Sequence, residues 1–392
     1  MRGHIKKRYK NSNSWSIIIE LPRGEDGKRK QQWITVKGTK KDAERELNSA
    51  LARLGSGSYV KPAKLTVRGY LEQWLADYAA INVRPRTYER YQEIVRAHLI
   101  PAFGSIPLTG LQPHHVQSYY SKALVSGRRD GRGGLSARTV HHHHRVLFEA
   151  LKYAIKHDML IRNICESVDP PRPEYRQMSA TDAQGVNKIL EAVKDTLYYP
   201  LFYTAIYTGL RRSELLALSW KNVDLDFATL AVTETIHQLK SGELVFNPPK
   251  SNRGKRSVAL SPSLAIMLRE HKAKQTAFRE RLGVKSHDND LVFSNLDGAP
   301  LQPDIITRKF RRVAHSVGLP KLRFHDLRHT HATLMLQQGI NVKVISERLG
   351  HSSIAITLDT YSHVLPGMQE AAAQRFEEGL KVCSSEQSEV VL

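Results

Sequence analysis

A chain of 392 residues, 41% hydrophobic and 7% aromatic, is too long for one ordinary core and predicts two or three globular domains. No apolar run approaches a bilayer span and the N-terminus lacks a signal-peptide core, so the expectation is a cytoplasmic protein with no membrane partner. The formal net charge of +21, with a pI near 9.9, points to a polyanionic partner, chiefly nucleic acid.

The charge is uneven. Residues 1–62 carry 15 Lys and Arg against 6 Asp and Glu, whereas residues 363–392 carry 2 against 5. The basic excess is therefore not uniform decoration. Cys165 and Cys383 lack metal-ligand or redox spacing, and a reducing compartment suits them.

Residues 1–60 read as a small α+β module. Trp15, Ile17, Ile19 and Leu21 alternate with Ser16, Ile18 and Glu20 in strand periodicity. Pro22 to Lys30 reads as a hairpin loop, and the strand pattern resumes over Gln31 to Lys37 with Trp33, Ile34 and Val36. Thr39 then caps a helix with Ala43, Leu47, Ala50, Leu51 and Leu54 on its apolar side. Such a basic ribbon, with Lys28, Arg29 and Lys30 at its turn, suits a DNA groove or the phosphate backbone.

A linker at 58–63 leads to an all-helical region. Val67, Tyr70, Leu71, Trp74, Leu75 and Tyr78 form one apolar stripe. A second helix runs from Pro85 or Thr87 to about His98, exposing Arg86 at its start, and Ile100 to Pro107 reads as a connector. A third covers about Gln112 to Val125. Arg128 to Gly134 forms a basic loop with Arg128, Arg129 and Arg132 as DNA-contact candidates. Ser136 caps a fourth helix reaching His157. The run His141 to His144 lies inside that helix and reads as partly exposed histidines near DNA rather than a metal site.

Three prolines between Asp169 and Pro173 favour a stiff extended connector. Beyond it, Gln184 to Val193 and Leu197 to Thr208 read as helices, the second apolar nearly all round and so buried. Gly209 breaks it, and Arg211 to Trp220 starts another. Thr229 to Ile236, Glu243 to Phe246 and Arg256 to Leu260 read as three strands, and residues 263–282, 303–317 and the stretch from His325 onward as mainly helical.

Phosphodiester exchange needs a nucleophile, cations on the non-bridging oxygens, an acid for the leaving oxygen and a base for the attacking hydroxyl. Tyr361, Arg211 with Arg328, Lys250 and His325 are residue types able to fill those parts. Arg211, after a glycine break, falls in a helix's first turn where an anion is already favoured, and Glu214 is placed to orient it. Each residue also has a plainer reading. Arg211 is then a surface charge, Lys250 a backbone contact at a hairpin tip that also holds Arg253 and Lys255, and His325, Asp326 and His329 a set of metal ligands.

The motifs TGLR at 208–211, a turn lysine at 250, HDLRHTHAT at 325–333, LGHSS at 349–353 and LDTYSH at 358–363 together resemble the tyrosine recombinase (phage integrase) family in content and order. The resemblance covers roughly residues 65–375, and residues 1–60 look like the arm-binding domain of integrases from phages and conjugative transposons. It implies a multidomain, mainly α chain with small β elements. The parts would be an arm-type DNA-binding module (1–60), a helical core-binding, SAM-like domain (64–168), a linker (169–174), a mostly helical catalytic domain (175–380) and a polar tail (381–392).

The resemblance further implies that Tyr361 attacks the scissile phosphate, leaving a 3′-phosphotyrosyl link and a free 5′-hydroxyl. Arg211 and Arg328 would hold the phosphate with support from His351, Lys250 would be the general acid, His325 the general base, and Glu214 a buttress. His329 and His331 are left as structural neighbours. No cofactor, metal or ATP is implied, because the covalent link keeps the bond energy. The implied partners are double-stranded DNA at core and arm sites and a homotetramer on paired sites, with an excisionase and a host DNA-bending protein as further candidates. The helix at Met368 to Leu380 would pack on a neighbouring subunit or on its own domain. The function implied is a site-specific integrase of a mobile element. The alternatives are a chromosome-dimer resolving recombinase, a non-enzymatic DNA-binding regulator and a metal-dependent phosphohydrolase.

Overall fold

The structure, a computed structural model, describes residues 3–7, 13–21, 30–55, 65–174, 179–283, 290–361, 373–374 and 376–377. Lys28 and Arg29, the linker at 58–63, nearly all of the segment from Met368 to Leu380 and the tail at 381–392 lie outside them. Contacts divide the chain into two compact units, Met1–Tyr175 and Arg176–Leu392.

The first unit opens with strands β1 (Gly3–Lys7), β2 (Ser14–Leu21) and β3 (Lys30–Lys37), followed by helix α1 (Lys40–Gly55). The sheet is antiparallel in the order β1-β2-β3, with Ile17 opposite both Ile5 and Ile34. Alternation puts Ile17 and Ile19 on one face, where they bury against Ala43 and Ala50 of α1. Thr39 and Asp42 close the helix start reciprocally. The Asp42 carboxylate accepts from the Thr39 amide at 2.9 Å, and the Thr39 hydroxyl accepts from the Asp42 amide at 3.3 Å. The sequence does not announce strand β1, because GHIKK holds a single large apolar side chain and shows no alternation.

The longer helices that follow in the same unit are α2 (Val67–Trp74), α3 (Pro85–Ile94), α4 (Pro113–Ser126) and α5 (Ala137–Lys156). Thr66 and Ser136 cap α2 and α5, accepting from the amides of Gly69 and Thr139. Wider π turns, Leu75–Ala79 and Val95–Leu99, extend α2 and α3. The second leads into a helical Ile100–Phe103, so the expected connector at Ile100 is helical in its first four residues. Pro101 is tolerated because it sits in the first turn of that segment. Trp74, Tyr70, Phe103, Tyr120 and Leu147 fill the core. His143 belongs to that core rather than to an exposed face, because it falls on the stripe of Val140, Val146, Leu147 and Leu151. Its Nδ1 meets the Tyr119 hydroxyl at 2.7 Å, while the half-buried His144 meets Tyr120 at 2.6 Å.

The second unit begins with α6 (Ala183–Val193), α7 (Tyr199–Thr208) and a single turn, α8 (Arg212–Leu215). The helix expected over Arg211 to Trp220 thus stops after four residues. Strands β4 (Val223–Asp224), β5 (Thr229–Val232), β6 (Thr235–Gln238), β7 (Leu244–Asn247) and β8 (Arg256–Ala259) form two antiparallel sheets, β4-β5-β8 and β6-β7. The one strand expected over Thr229 to Ile236 breaks at Thr233–Glu234, since Leu230 pairs with Val258 while Ile236 pairs with Phe246. Consequently β7 and β8 do not pair, and Lys250 lies on a crossing between sheets rather than at a hairpin tip.

Helices α9 (Pro262–Leu282), α10 (Pro303–Ser316), α11 (Asp326–Gln337), α12 (Val342–Leu349) and α13 (Ile354–Tyr361) complete the unit. Its main core gathers Phe202, Phe310 and Phe324, whose rings meet edge-on or tilted at 5.4–6.0 Å between centroids. Each fully buried ring of this kind contributes about 1.5–3 kcal/mol. A smaller cluster joins Ala332 and Leu336 of α11 to Ile345 and Leu349 of α12 and Tyr361 of α13. Among the described residues no helix is long and apolar enough to cross a membrane.

Candidate active site

Gly209 ends α7 in the left-handed conformation, at φ 65°. A Cβ there would come within 2.7 Å of His331 and 2.8 Å of Leu349, so both backbone shape and packing require glycine. The turn releases Arg211 to the start of α8. There the buried Glu214 carboxylate accepts from the Arg211 amide at 3.0 Å and from its guanidinium at 2.6 Å. The same carboxylate accepts from Arg256 Nη2 at 2.9 Å. Burial alone would raise the Glu214 pKa, but the Arg256 hydrogen bond and the charges of Arg256 and Arg211 outweigh it and hold it below the usual value. One carboxylate thus orients two arginines. The turn sequence marks Arg211, whereas Arg256 was hidden among the other cations of its loop.

Arg328, in the first turn of α11, is 3% exposed. Its guanidinium donates to the carbonyls of Gly209 at 3.0 Å and Leu349 at 2.7 Å. These carbonyls lie at the C-terminal ends of α7 and α12, where the helix dipole is negative and favours a cation. Burial and the nearby Arg211 charge still push the Arg328 pKa well down. Arg211 also reaches the Gly350 carbonyl, at 3.4 Å. The result is a cluster of fixed cations with one carboxylate among them, an arrangement that lowers its energy by taking up an anion.

His325 precedes α11 and stands open to solvent at the rim. Its pKa is lowered by partial removal from water and then by the Arg328 charge. Asp326 is fully buried and bound by Arg323, whose amide and Nη2 each approach at 2.8 Å. It is therefore committed to the helix start and not free to serve as a metal ligand beside His325 and His329. Among the described residues no group of His, Cys, Asp and Glu is placed to hold a metal.

Gly350, left-handed at φ 68°, ends α12 and delivers His351 to the opposite wall. His351 Nδ1 lies 2.8 Å from the hydroxyl of the buried Thr357, which fixes α13. One turn further, Tyr361 is 2% exposed, and its hydroxyl lies 2.8 Å from His329 Nδ1. Burial pushes the Tyr361 phenol up to about 12 and the His329 imidazole down to about 4. His331 faces away from this group and accepts from Arg348 Nε at 3.1 Å.

Arg211, His325, Arg328, His351 and Tyr361 line one cavity of about 290 Å³, together with His329, Ser251, Ser352 and Thr360. Lys250 is exposed and not in the lining, although its neighbour Ser251 is. Arg253 donates to the Ser352 carbonyl and so ties the Lys250 loop to the His351 loop. Lys255 is exposed on the same loop. In the first unit Arg86, Arg129 and Arg132 are exposed, and Arg128 is paired with Asp130 at 2.6 Å. Lys30 begins β3. His329 lines the cavity although it stands outside the motif positions. The signal available was its spacing of four from His325, which puts both on one helix face.

Two family models match the chain. The one described as the phage integrase family covers residues 179–368, and the one described as the phage integrase N-terminal SAM-like domain covers residues 66–124. A "Tyrosine recombinase XerC-like" protein of Caldanaerobacter subterraneus subsp. tengcongensis is 26% identical over 378 residues, spanning 92% of this chain and 95% of that one. The ICEBs1 integrase of Bacillus subtilis is 27% identical over 300 residues, spanning 76% and 79%. Among solved structures, the Tn1549 transposon integrase in complex with a circular intermediate DNA shares the fold at TM-score 0.66 and 20% identity, over 80% of this chain and all of that one. A lambda integrase dimer bound to a core site matches at TM-score 0.55 and 20% identity, over 91% and 96%.

Proposed function

The chain belongs to the phage integrase family of tyrosine recombinases, and from that premise we propose that it integrates, and in reverse excises, a mobile element by site-specific cutting and rejoining of duplex DNA. The observation that carries the reading is the cavity, where a tyrosine hydroxyl shares about 290 Å³ with two arginines and three histidines. Arg211 and Arg328 bind the non-bridging oxygens and stabilise the charge that builds as phosphorus becomes five-coordinate. Tyr361 attacks, leaving a 3′-phosphotyrosyl bond and a 5′-hydroxyl. The family motif casts His325 as general base, His351 supports the phosphate, Glu214 fixes Arg211, and Lys250 protonates the leaving oxygen once its loop closes on DNA. One phosphoester replaces another, so the exchange draws on no ATP.

In this reading residues 1–60 bind arm-type sites, residues 64–168 and 175–380 bind the core site, and residues 169–174 link them. Lys28, Arg29, Lys30, Arg86, Arg128, Arg129, Arg132, Arg253 and Lys255 serve the DNA backbone. A tetramer acts on two sites in the bacterial cytoplasm, as a lambda integrase tetramer is bound to a Holliday junction. An excisionase and a host DNA-bending protein would set direction. The basic N-terminal module favours an integrase over a chromosome-dimer resolvase.

The deciding experiment uses a nicked suicide duplex built on the junction of the circularised element. The natural chain forms a covalent adduct, and Tyr361→Phe binds the duplex without forming one. An adduct with Tyr361→Phe would sink the reading. Removing residues 1–60 should spare core-site cleavage and impair integration between full sites; unimpaired integration would refute the arm role.

A further inference from the structure

Proton acceptance from the nucleophile is the part of this chemistry that the geometry assigns differently from the family motif. His329 follows His325 by one helical turn, and their rings meet edge-on with centroids 5.1 Å apart. Only one of the two touches the tyrosine. His329 Nδ1 lies 2.8 Å from the Tyr361 hydroxyl, inside the cavity, while His325 stands at the rim. The contact is held from both sides. His329 is anchored on α11, next in sequence to the carbonyl-bound Arg328, and α13 is fixed a turn earlier by the Thr357 bond to His351.

We propose that His329 is a catalytic residue of strand cleavage, whose Nδ1 holds the Tyr361 hydroxyl and takes its proton as the phenolic oxygen bonds to phosphorus. This rests on the reading of Tyr361 as nucleophile. The Nε2-protonated tautomer of His329 presents the Nδ1 lone pair to the phenol. In the step, the bond from the Tyr361 oxygen to phosphorus forms and the bond from phosphorus to the 5′-oxygen breaks. The phenolic proton passes to His329, and the leaving 5′-oxygen receives a proton from the general acid. Religation returns both. His325 is then free to face the phosphate from the rim.

The resting imidazole is a weak base because it is buried beside His325 and Arg328. A DNA phosphate entering between Arg211 and Arg328 brings negative charge to the same cavity and raises its basicity. The phenol acidifies as its oxygen bonds to phosphorus, so the two groups approach each other along the reaction.

The test uses the full chain and the nicked suicide duplex described above, with Tyr361→Phe in parallel. His329→Gln should bind the duplex normally and form adduct roughly 10²–10⁴-fold more slowly, the range for losing a positioned acid or base. Replacing Tyr361 by 3-fluorotyrosine, a more acidic phenol, should recover rate in the His329→Gln background and give no such gain in the natural one. His329→Ala should recover rate on adding imidazole. A His329→Gln rate equal to that of the natural chain, or an identical fluorine effect in both backgrounds with no imidazole rescue, overturns the proposal while Tyr361→Phe remains inert. Adduct with Tyr361→Phe overturns the underlying reading instead.

Discussion

Arg256 and Glu214 form an ion pair with both side chains nearly out of water, 6% and 2% exposed, at 2.9 Å. Arg256 stands on β8 and also donates to the Arg348 carbonyl at 2.7 Å, while Glu214 holds Arg211. The pair therefore joins the β-sheet to two sides of the cavity. Glu214→Ala leaves Arg256 buried without its anion and Arg211 without its orienting group. Losing one partner of such a pair costs about 3–5 kcal/mol. Denaturant unfolding of Glu214→Ala should show a loss of that size, and adduct formation should fall even under conditions where the chain remains folded. A loss under about 1 kcal/mol would mean that the pair is solvated.

Gly209→Ala should be destabilising on two grounds. The left-handed conformation disfavours any side chain with a Cβ by about 1–2 kcal/mol. The added carbon would also meet His331 at 2.7 Å and Leu349 at 2.8 Å. Because the Gly209 carbonyl accepts from Arg328, a shift of this turn disturbs the cations proposed to hold the phosphate as well. A thermal midpoint several degrees lower, together with weakened cleavage, is the expected pair of results. An unchanged midpoint would show that the turn yields freely.

Stability of the second unit should fall as the solution is acidified below about pH 6.5. In an unfolded chain imidazoles take a proton near pH 6.5. In the folded chain burial holds His329 and His351 to about 4 and His331 to about 3. Between those values the unfolded state binds more protons, so unfolding gains ground as pH drops. The lowered Glu214 acts in the same direction, its contribution being lost as pH falls through its folded value. His331→Asn, which removes the acceptor of Arg348, should flatten part of this slope at some cost in stability at neutral pH. Denaturant midpoints measured from pH 7 to pH 4 would show the trend, and a midpoint independent of pH would contradict the buried neutral histidines.

The features legible in the sequence are those set by local chemistry. Thr39 and Ser136 start helices because their oxygens reach the first free amides, and Gly209 ends one because it tolerates a positive φ. Arg211 and Glu214 are three apart in a helix start, so their contact follows from spacing alone. Strand pairing is not local. Nothing in Thr229 to Ile236 announces that Leu230 and Ile236 belong to different sheets, or that β7 and β8 do not pair. His329 was lost for a similar reason. HDLRHTH contains three histidines of identical chemistry, and only the path of α13 decides which one meets Tyr361.

The crossing between β7 and β8 makes Lys250 the least constrained member of the proposed machinery. It is exposed, like Lys255 on the same loop, while Ser251 reaches the cavity and Arg253 binds the Ser352 carbonyl. If the loop closes on DNA about the Arg253 anchor, the residue beside Ser251 is carried toward the leaving oxygen and Lys255, beyond the anchor, is not. A general acid is dispensable when the leaving group needs no proton. Lys250→Ala should therefore cleave an ordinary suicide duplex slowly and recover nearly full rate on one with a bridging 5′-sulfur at the scissile phosphate. Lys255→Ala should lose affinity through a phosphate contact and gain nothing from sulfur. Sulfur rescue of Lys255→Ala in place of Lys250→Ala would move the acid to Lys255, and rescue of neither would assign leaving-group protonation to a residue already inside the cavity.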